Sequence, residues 1–224
     1  MHRNMLYEAA RALIQIYAKL MFRMDIEKHE SLPDGPKLFV ANHPSATDPF
    51  LIHIYSRMSV LITANAFAFP LFGPFLRSIG QISAAPGGNS VEQATHMLQQ
   101  GKSIGIFPEG TYSPQEGGFG EPHSGAARLA ISSGVPVIPI GIYLPRERNL
   151  RITSNLIGRP TIGYWYLYGP YAVTIGKAMQ FQGDVDDREQ VHLVTTTIMD
   201  KIKLLAQESE NRMFDKFKPV KPAG

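Results

Sequence analysis

The sequence predicts an α/β fold: a single domain with a mostly parallel central sheet flanked by helices, and an amphipathic helix at its N-terminus. Two observations carry this prediction. Short apolar runs with strand character, at 38–41, 60–63, 103–107 and 135–143, alternate with segments of helical character, and that alternation implies a largely parallel sheet covered on both faces. The chain has 224 residues, 44% of them apolar, enough to bury a sizeable core and suited to one domain.

Taken in order, the polar residues Asn4, Glu8, Arg11, Gln15, Lys19 and Arg23 recur every three or four positions and form one narrow stripe of a helix over 4–23. The rest of that helix, including Leu6, Leu13, Ile14, Ile16, Tyr17 and Leu20, needs cover from the protein or from lipid, with Arg3, Arg11, Lys19 and Arg23 placed to meet headgroups. A turn at Pro33-Asp34-Gly35-Pro36 precedes the strand 38–41, which ends at Asn42-His43. A polar loop then leads into a helix over 48–57, the strand 60–63, a Phe- and Pro-rich segment 67–76 and a strand at 80–83. Ser90-Val-Glu-Gln93 fits a capping box, and the helix it opens ends at Gln100 with Gly101 as its C′ residue. The strand 103–107, a helix 124–133 stopped by Gly134, and the strand 135–143 follow. Residues 161–168 and 172–175 read as two strands turning at Gly169-Pro170, and a helix over 186–208 closes the fold before a frayed tail.

Composition excludes several chemistries. No cysteine is present, so disulfides, thiolate metal sites and cysteine nucleophiles are ruled out. No Gly-x-Ser-x-Gly elbow exists, and Gly101-Lys102-Ser103 lacks the glycine that a phosphate loop requires five residues earlier, where His96 stands. Asp184, Asp186 and Asp187 read as caps of the last helix rather than a calcium loop. The histidines show no metal spacing, so no metal is expected. Tyr164, Trp165, Tyr166 and Tyr168 alternate as a half-buried strand does, not as a base-stacking platform, and no nucleic acid is expected. The formal charge of +3 favours anionic partners. Glu8, Arg11 and Lys19 interrupt any secretory h-region. Asn65, Pro70, Gly73 and Pro74 break the longest uncharged run, 58–76, so a peripheral protein is expected.

The chemistry concentrates in Asn42-His-Pro-Ser-Ala-Thr-Asp48. A side chain in the first turn of a helix projects back toward the helix N-terminus, so Asp48 can reach the imidazole of His43 in the preceding loop. A carboxylate on one ring nitrogen leaves the other free to take a proton from a hydroxyl. By spacing alone, a structural loop histidine capped by a helix aspartate is the commoner arrangement. Phe107-Pro-Glu-Gly-Thr is a strand running into a turn at the carboxyl edge of the sheet, where ligands of open α/β sheets bind.

These segments resemble the signatures of the phospholipid/glycerol acyltransferases, the group that includes bacterial 1-acylglycerol-3-phosphate acyltransferases. Residues 42–48 are similar to the first signature, Phe107-Pro-Glu-Gly-Thr-Tyr-Ser113 to the third and Val135-Pro-Val-Ile-Pro139 to the fourth, in the family's order and spacing. The resemblance spans roughly residues 30–180. It implies an O-acyltransferase that moves a fatty acyl group from acyl-carrier protein or acyl-coenzyme A to a lysophospholipid-type hydroxyl, with His43 as general base and Asp48 as its partner. It implies acceptor-side roles for Glu109, Gly110, Thr111, Tyr112 and Ser113. His123, Arg77 and Arg128 are candidates for supplementary charge there, and Asn42 and Pro136 for the donor and acyl pocket. No cofactor is implied beyond the thioester substrate. The expected partners are a membrane surface at the cytoplasmic face and the acyl carrier. The corresponding division is a docking helix over 1–28, a catalytic domain over 29–210 and a tail over 211–224.

The chain also departs from the family pattern. Tyr112 stands where members acting on phosphorylated glycerol usually carry Arg, and the second signature, Gly80-Gln-Ile-Ser-Ala-Ala-Pro86, lacks its usual Arg. Arg forks are not easily replaced, so a lyso-aminolipid or glycolipid acceptor is the alternative. A non-catalytic lipid-binding protein is the alternative outside enzymes.

Overall fold

The computed structural model describes residues 5–85 and 87–217. Arg3, Asn4, Pro86 and the end of the expected tail lie outside the described residues. In chain order, helix α1 (Met5–Met21) is followed by strands β1 (Phe22–Lys28) and β2 (Leu38–Ala41), then by α2 (Asp48–Leu51) with a 3-10 turn over Ile52–Ile54. β3 (Ser59–Thr63), α3 (Ala64–Ala68), α4 (Phe72–Ser78), β4 (Ile82–Ala84), α5 (Ser90–Gln99) and β5 (Ile104–Ile106) come next. The chain continues through α6 (Gly125–Ser133), β6 (Val137–Tyr143), β7 (Leu150–Ser154), β8 (Thr161–Trp165), β9 (Gly169–Ile175) and α7 (Arg188–Phe217).

Seven strands form one sheet in the order β1-β9-β6-β2-β5-β3-β4. Only the β6–β9 ladder is antiparallel, so the predicted α/β architecture with a mostly parallel sheet is the observed one. Alternation along β2 builds the core on both sides. Leu38 and Val40 join Ile104, Val137 and the apolar stripes of α5, α6 and α7 on one face. Phe39 and Ala41 join Val60, Ile140, Val173, Leu51 and the end of α1 on the other. Helix α7 crosses β6 at Gly141, where an added Cβ would lie 2.0 Å from the backbone nitrogen of Ala206, so only glycine admits the helix this closely.

Several local expectations are corrected. The N-terminal helix stops at Met21, and 22–28 becomes a strand of the central sheet, where the period-two pattern Phe22, Met24, Ile26 against Arg23, Asp25, Glu27 puts charge on an edge. The Phe- and Pro-rich segment 67–76, given no element above, takes up the end of α3 and most of α4. Ser90 lies inside α5, whose N-cap is Asn89 with no side-chain cap hydrogen bond, so the capping box does not form. The far end of α5 does close as expected: the amides of Gly101 and Lys102 reach the carbonyls of Leu98 and Met97, a Schellman arrangement. Strand 161–168 does not turn into its successor; β8 pairs with β7 in a separate two-stranded ribbon. Helix α7 runs beyond Glu208 because Arg212 bonds Thr174 Oγ1 and the Val173 carbonyl on β9 and Met213 is buried, so 211–217 is not a tail. Asp187 caps α7, accepting from the amides of Glu189 and Gln190 at 2.9 and 3.1 Å.

Candidate active site

Strand β2 ends in the middle of the sheet and delivers Asn42 and His43 to its carboxyl edge. Asn42 is fully buried, and its amide exchanges two hydrogen bonds with the backbone of Ile142 at 2.8 and 2.7 Å. Asn42 therefore clamps β2 to β6 and does not line an acyl pocket. His43 leaves the strand with 12% of its side chain exposed, and its Nδ1 lies 3.1 Å from Asp48 Oδ2. A carboxylate only accepts, so this contact puts the ring proton on Nδ1 and leaves Nε2 as the basic nitrogen.

Asp48 is fully buried in the first turn of α2 and is held by three donors at once. Its Oδ2 also accepts from the Ser45 amide at 2.7 Å, and its Oδ1 accepts from the Tyr171 hydroxyl at 2.7 Å. Burial and the Asp48 charge push the Tyr171 phenol well up, so it remains a donor. Tyr171 is 123 residues away in sequence, on β9, and no local spacing could have pointed to it.

The loop is fixed from a second side by the turn after β5. The buried Glu109 carboxylate accepts from the His43 amide at 2.9 Å, the Ser113 hydroxyl at 2.7 Å and the Gly120 amide at 2.5 Å. The Ser113 amide in turn donates to the His43 carbonyl at 2.8 Å. Glu109 and Ser113 face inward and hold the His43 main chain, which corrects the expectation that they touch an acceptor. Gly110 has a left-handed φ of 64°, and a Cβ there would lie 2.6 Å from the His123 ring, so the turn and His123 do adjoin. Thr111 is exposed beside them. Tyr112 borders the imidazole, with ring centroids 4.8 Å apart, while Phe107 stacks on it at 4.3 Å. Burial first, and then the Asp48 charge, raise the Tyr112 phenol.

A third side comes from β8 and Tyr166 just beyond it, which sequence reading did not connect to the site. The Ala46 amide and Ser45 hydroxyl donate to the Tyr164 carbonyl at 2.6 and 3.0 Å, the Tyr166 amide donates to Ser45 Oγ, and Thr47 Oγ1 donates to the Tyr166 carbonyl. Asn149 donates to the Pro44 carbonyl, and Arg146 to that of Pro114. Burial lowers the Arg146 pKa against the opposing pull of Glu109 and Asp48.

Three candidates are not brought into contact with this centre. Pro136 precedes β6 at the opposite sheet edge: its carbonyl accepts from Leu38, and five residues of strand separate Leu38 from His43, roughly 16 Å. Arg128, on α6, is engaged with the Val185 carbonyl. The Arg77 guanidinium lies 5.8 Å from the Phe67 ring centroid. Among the described residues, no group of three His, Asp or Glu side chains is placed to hold a metal ion.

Comparison with known proteins follows the same residues. The family described as Acyltransferase matches residues 23–143. A chloroplastic 1-acyl-sn-glycerol-3-phosphate acyltransferase of Brassica napus is 29% identical over 137 residues, 58% of this chain and 39% of that protein. A 1-acyl-sn-glycerol-3-phosphate acyltransferase of Pseudomonas aeruginosa is 26% identical over 174 residues, 72% of this chain and 61% of that one. A lyso-ornithine lipid O-acyltransferase of the same organism is 29% identical over 139 residues, 60% and 53% of the two chains. The chain thus matches between 39% and 61% of the length of these relatives. The solved 1-acyl-sn-glycerophosphate acyltransferase of Thermotoga maritima shares the fold, with a TM-score of 0.65, 19% identity, and coverage of 96% of this chain and 81% of that one.

Proposed function

The chain belongs to the acyltransferase family, and from that premise we propose that it moves a fatty acyl group from acyl-carrier protein or acyl-coenzyme A to the hydroxyl of a lysophospholipid-type acceptor at the cytoplasmic face of a membrane. The observation that carries this reading is the His43–Asp48 pair, with its carboxylate fully buried and its imidazole reaching the surface. Nε2 of His43 removes the proton from the acceptor hydroxyl as that oxygen attacks the thioester carbonyl, and the imidazolium is stabilised by Asp48. Backbone N–H groups near these motifs favour the oxyanion. The tetrahedral intermediate expels the thiolate, which leaves with the proton held on His43. No covalent enzyme intermediate is needed.

Helix α1 supports the membrane partner. Its inward positions are Tyr7, Arg11, Ile14 and Ala18, whereas Leu13 is 67% and Leu20 75% exposed. Arg11 is bound to the carbonyls of His53 and Ile54, which removes it from the expected headgroup set. A helix that turns Tyr7 and Arg11 toward the protein and leaves Leu13, Leu20 and the basic Lys19 outward suits an interfacial position. No helix among the described residues is long and apolar enough to cross a membrane.

Tyr112 favours a second reading of the acceptor. A neutral phenol borders His43 where a phosphate-binding guanidinium is usual, and the similar protein named as acting on lyso-ornithine lipid supports an aminolipid acceptor. The deciding experiment offers labelled acyl donor with a panel of lyso-lipids and identifies the product by mass spectrometry. Transfer to one acceptor, lost by roughly 100- to 10,000-fold in a folded His43→Ala protein, is the expected result; a wild-type rate in that variant would end the mechanism. Tight lipid binding with no transfer from any donor would point to a non-catalytic protein.

A further inference from the structure

The ribbon of β7 and β8 is exposed in a way its own contacts do not explain. A two-stranded ribbon is marginal in water, and all five residues of β7 are exposed or only half-buried. The exposed groups are large and apolar: Leu150 at 52%, Ile152 at 43%, Ile162 at 44%, and Leu156 at 75% in the connecting turn. From 148 to 168 the chain carries three arginines, Arg148, Arg151 and Arg159, and no Asp or Glu. All three arginines are exposed. The ribbon is also continuous with the outward face of α1, because the Tyr17 hydroxyl donates to the Leu167 carbonyl at 2.5 Å and Tyr168 beyond it is exposed.

We propose that the β7–β8 ribbon is a second lipid-contacting arm, specific for an anionic bilayer surface, which sinks Leu150 and Ile152 on one face and Leu156 in the turn among the acyl chains and sets its arginines on the headgroups. The mixture decides the occupant. An acidic protein partner would use the guanidiniums, but it would leave the protruding Leu150, Ile152 and Leu156 in water. A bilayer surface meets both, since apolar area and basic charge act together there. The arm also reaches the chemistry. Tyr164 of β8 and Tyr166 just after it supply the backbone that holds Ser45, Ala46 and Thr47, so the segment that meets lipid is hydrogen-bonded to the catalytic loop itself.

The inference extends the membrane reading from α1 to a separate element, and its test reads lipid contact without reference to acyl transfer. Trp165, the only tryptophan of the chain, lies on β8 and is a native reporter. The full-length protein is mixed with vesicles of phosphatidylcholine containing one quarter phosphatidylglycerol, with pure phosphatidylcholine vesicles, and with vesicles of brominated lipid. Blue-shifted Trp165 emission, quenched by the brominated chains and strongest with the anionic vesicles, is expected. Arg151→Glu changes the arm by two charges and should weaken sedimentation with the anionic vesicles about twentyfold, and Leu156→Ser about tenfold. Each variant is first matched to wild type by circular dichroism and thermal melting. Unchanged Trp165 emission on vesicles that sediment the protein, or variants that bind as tightly as wild type, would overturn the arm and leave α1 as the docking element. A lipid-free dimer abolished by Leu156→Ser would overturn it in favour of a second copy of the chain. Loss of transfer from acyl-carrier protein with intact vesicle binding would overturn it in favour of the acidic carrier. Vesicle binding as expected with no acyl transfer would leave the arm standing and remove the proposed reaction.

Discussion

The loop 42–48 and helix α1 handle polar and apolar groups in opposite ways. The loop buries a carboxylate, an amide and two hydroxyls and satisfies them from three directions, whereas α1 turns Tyr7 and Arg11 inward and leaves its leucines outside. Burying polar groups costs stability unless every one is paired, and exposing contiguous apolar groups costs solubility. Both departures from the usual partition fall on elements to which the proposed reaction gives work: one aims a base, the other meets the lipid. The difference teaches that polar pairing is concentrated around the imidazole and exposed apolar surface on α1.

The largest effects should come from disturbing the buried side of this comparison. Asp48→Asn keeps the shape but replaces an acceptor with a group that can donate, so Nδ1 no longer has to carry the ring proton. Turnover should fall about a thousandfold or more with the fold intact, measured as initial rate beside a urea melt. A rate within threefold of wild type would remove Asp48 from the mechanism. Glu109→Gln acts on the main chain instead. The carboxylate accepts from the His43 and Gly120 amides on different oxygens, and Gln must set its NH2 against one of them. A buried donor facing a donor costs about 1–3 kcal/mol, so the urea midpoint should drop. The His43 amide belongs to the catalytic loop itself, so kcat should fall with it while acceptor KM moves little. A large rise in KM with stability unchanged would restore Glu109 to the acceptor side.

What was legible in the sequence follows the same division. The strand 38–41, His43 and Asp48 were readable because the chemistry is packed into seven consecutive residues, and helix geometry alone brings the ends of that run together. Tyr171, the β8 backbone and the inward direction of Glu109 were not, because their contacts join residues 66 to 123 positions apart and leave no local trace. Helix α1 was readable as a helix but not in orientation. Its polar stripe suggested an outer face, yet Tyr7 and Arg11 are drawn inward by His53 and by carbonyls at the end of the following 3-10 turn.

That inward contact makes the next largest effect one of pH. His53 is buried under α1, and burial, followed by the Arg11 charge, pushes its pKa down to about 4. In the unfolded chain the imidazole titrates near 6.5. Between those values the unfolded state holds a proton that the native state refuses, so this stabilisation is complete above pH 6.5 and is lost as pH falls toward 4. The loss is roughly 3 kcal/mol. Carboxylates titrate over the same range, so the useful quantity is the difference between wild type and His53→Gln in urea melts at pH 7.5 and 4.5. The variant should be less stable at the higher pH and lose less on acidification; parallel profiles would show that His53 does not govern the seat of α1.

The smallest effects should come from the outer face, and they separate the two roles of α1. Leu13 is exposed, so Leu13→Ser should change stability by no more than about 0.5 kcal/mol while weakening vesicle sedimentation about tenfold. Tyr7→Phe does the reverse. Its hydroxyl links His53 Nδ1 with the amide and carbonyl of Met58, so stability should fall by about 1–2 kcal/mol with vesicle binding kept. If Leu13→Ser destabilised the fold as much as Tyr7→Phe, the outward leucines would be covered by protein in solution. The contrast between a face that holds the helix down and a face that meets lipid would then be lost, because one set of contacts would account for both.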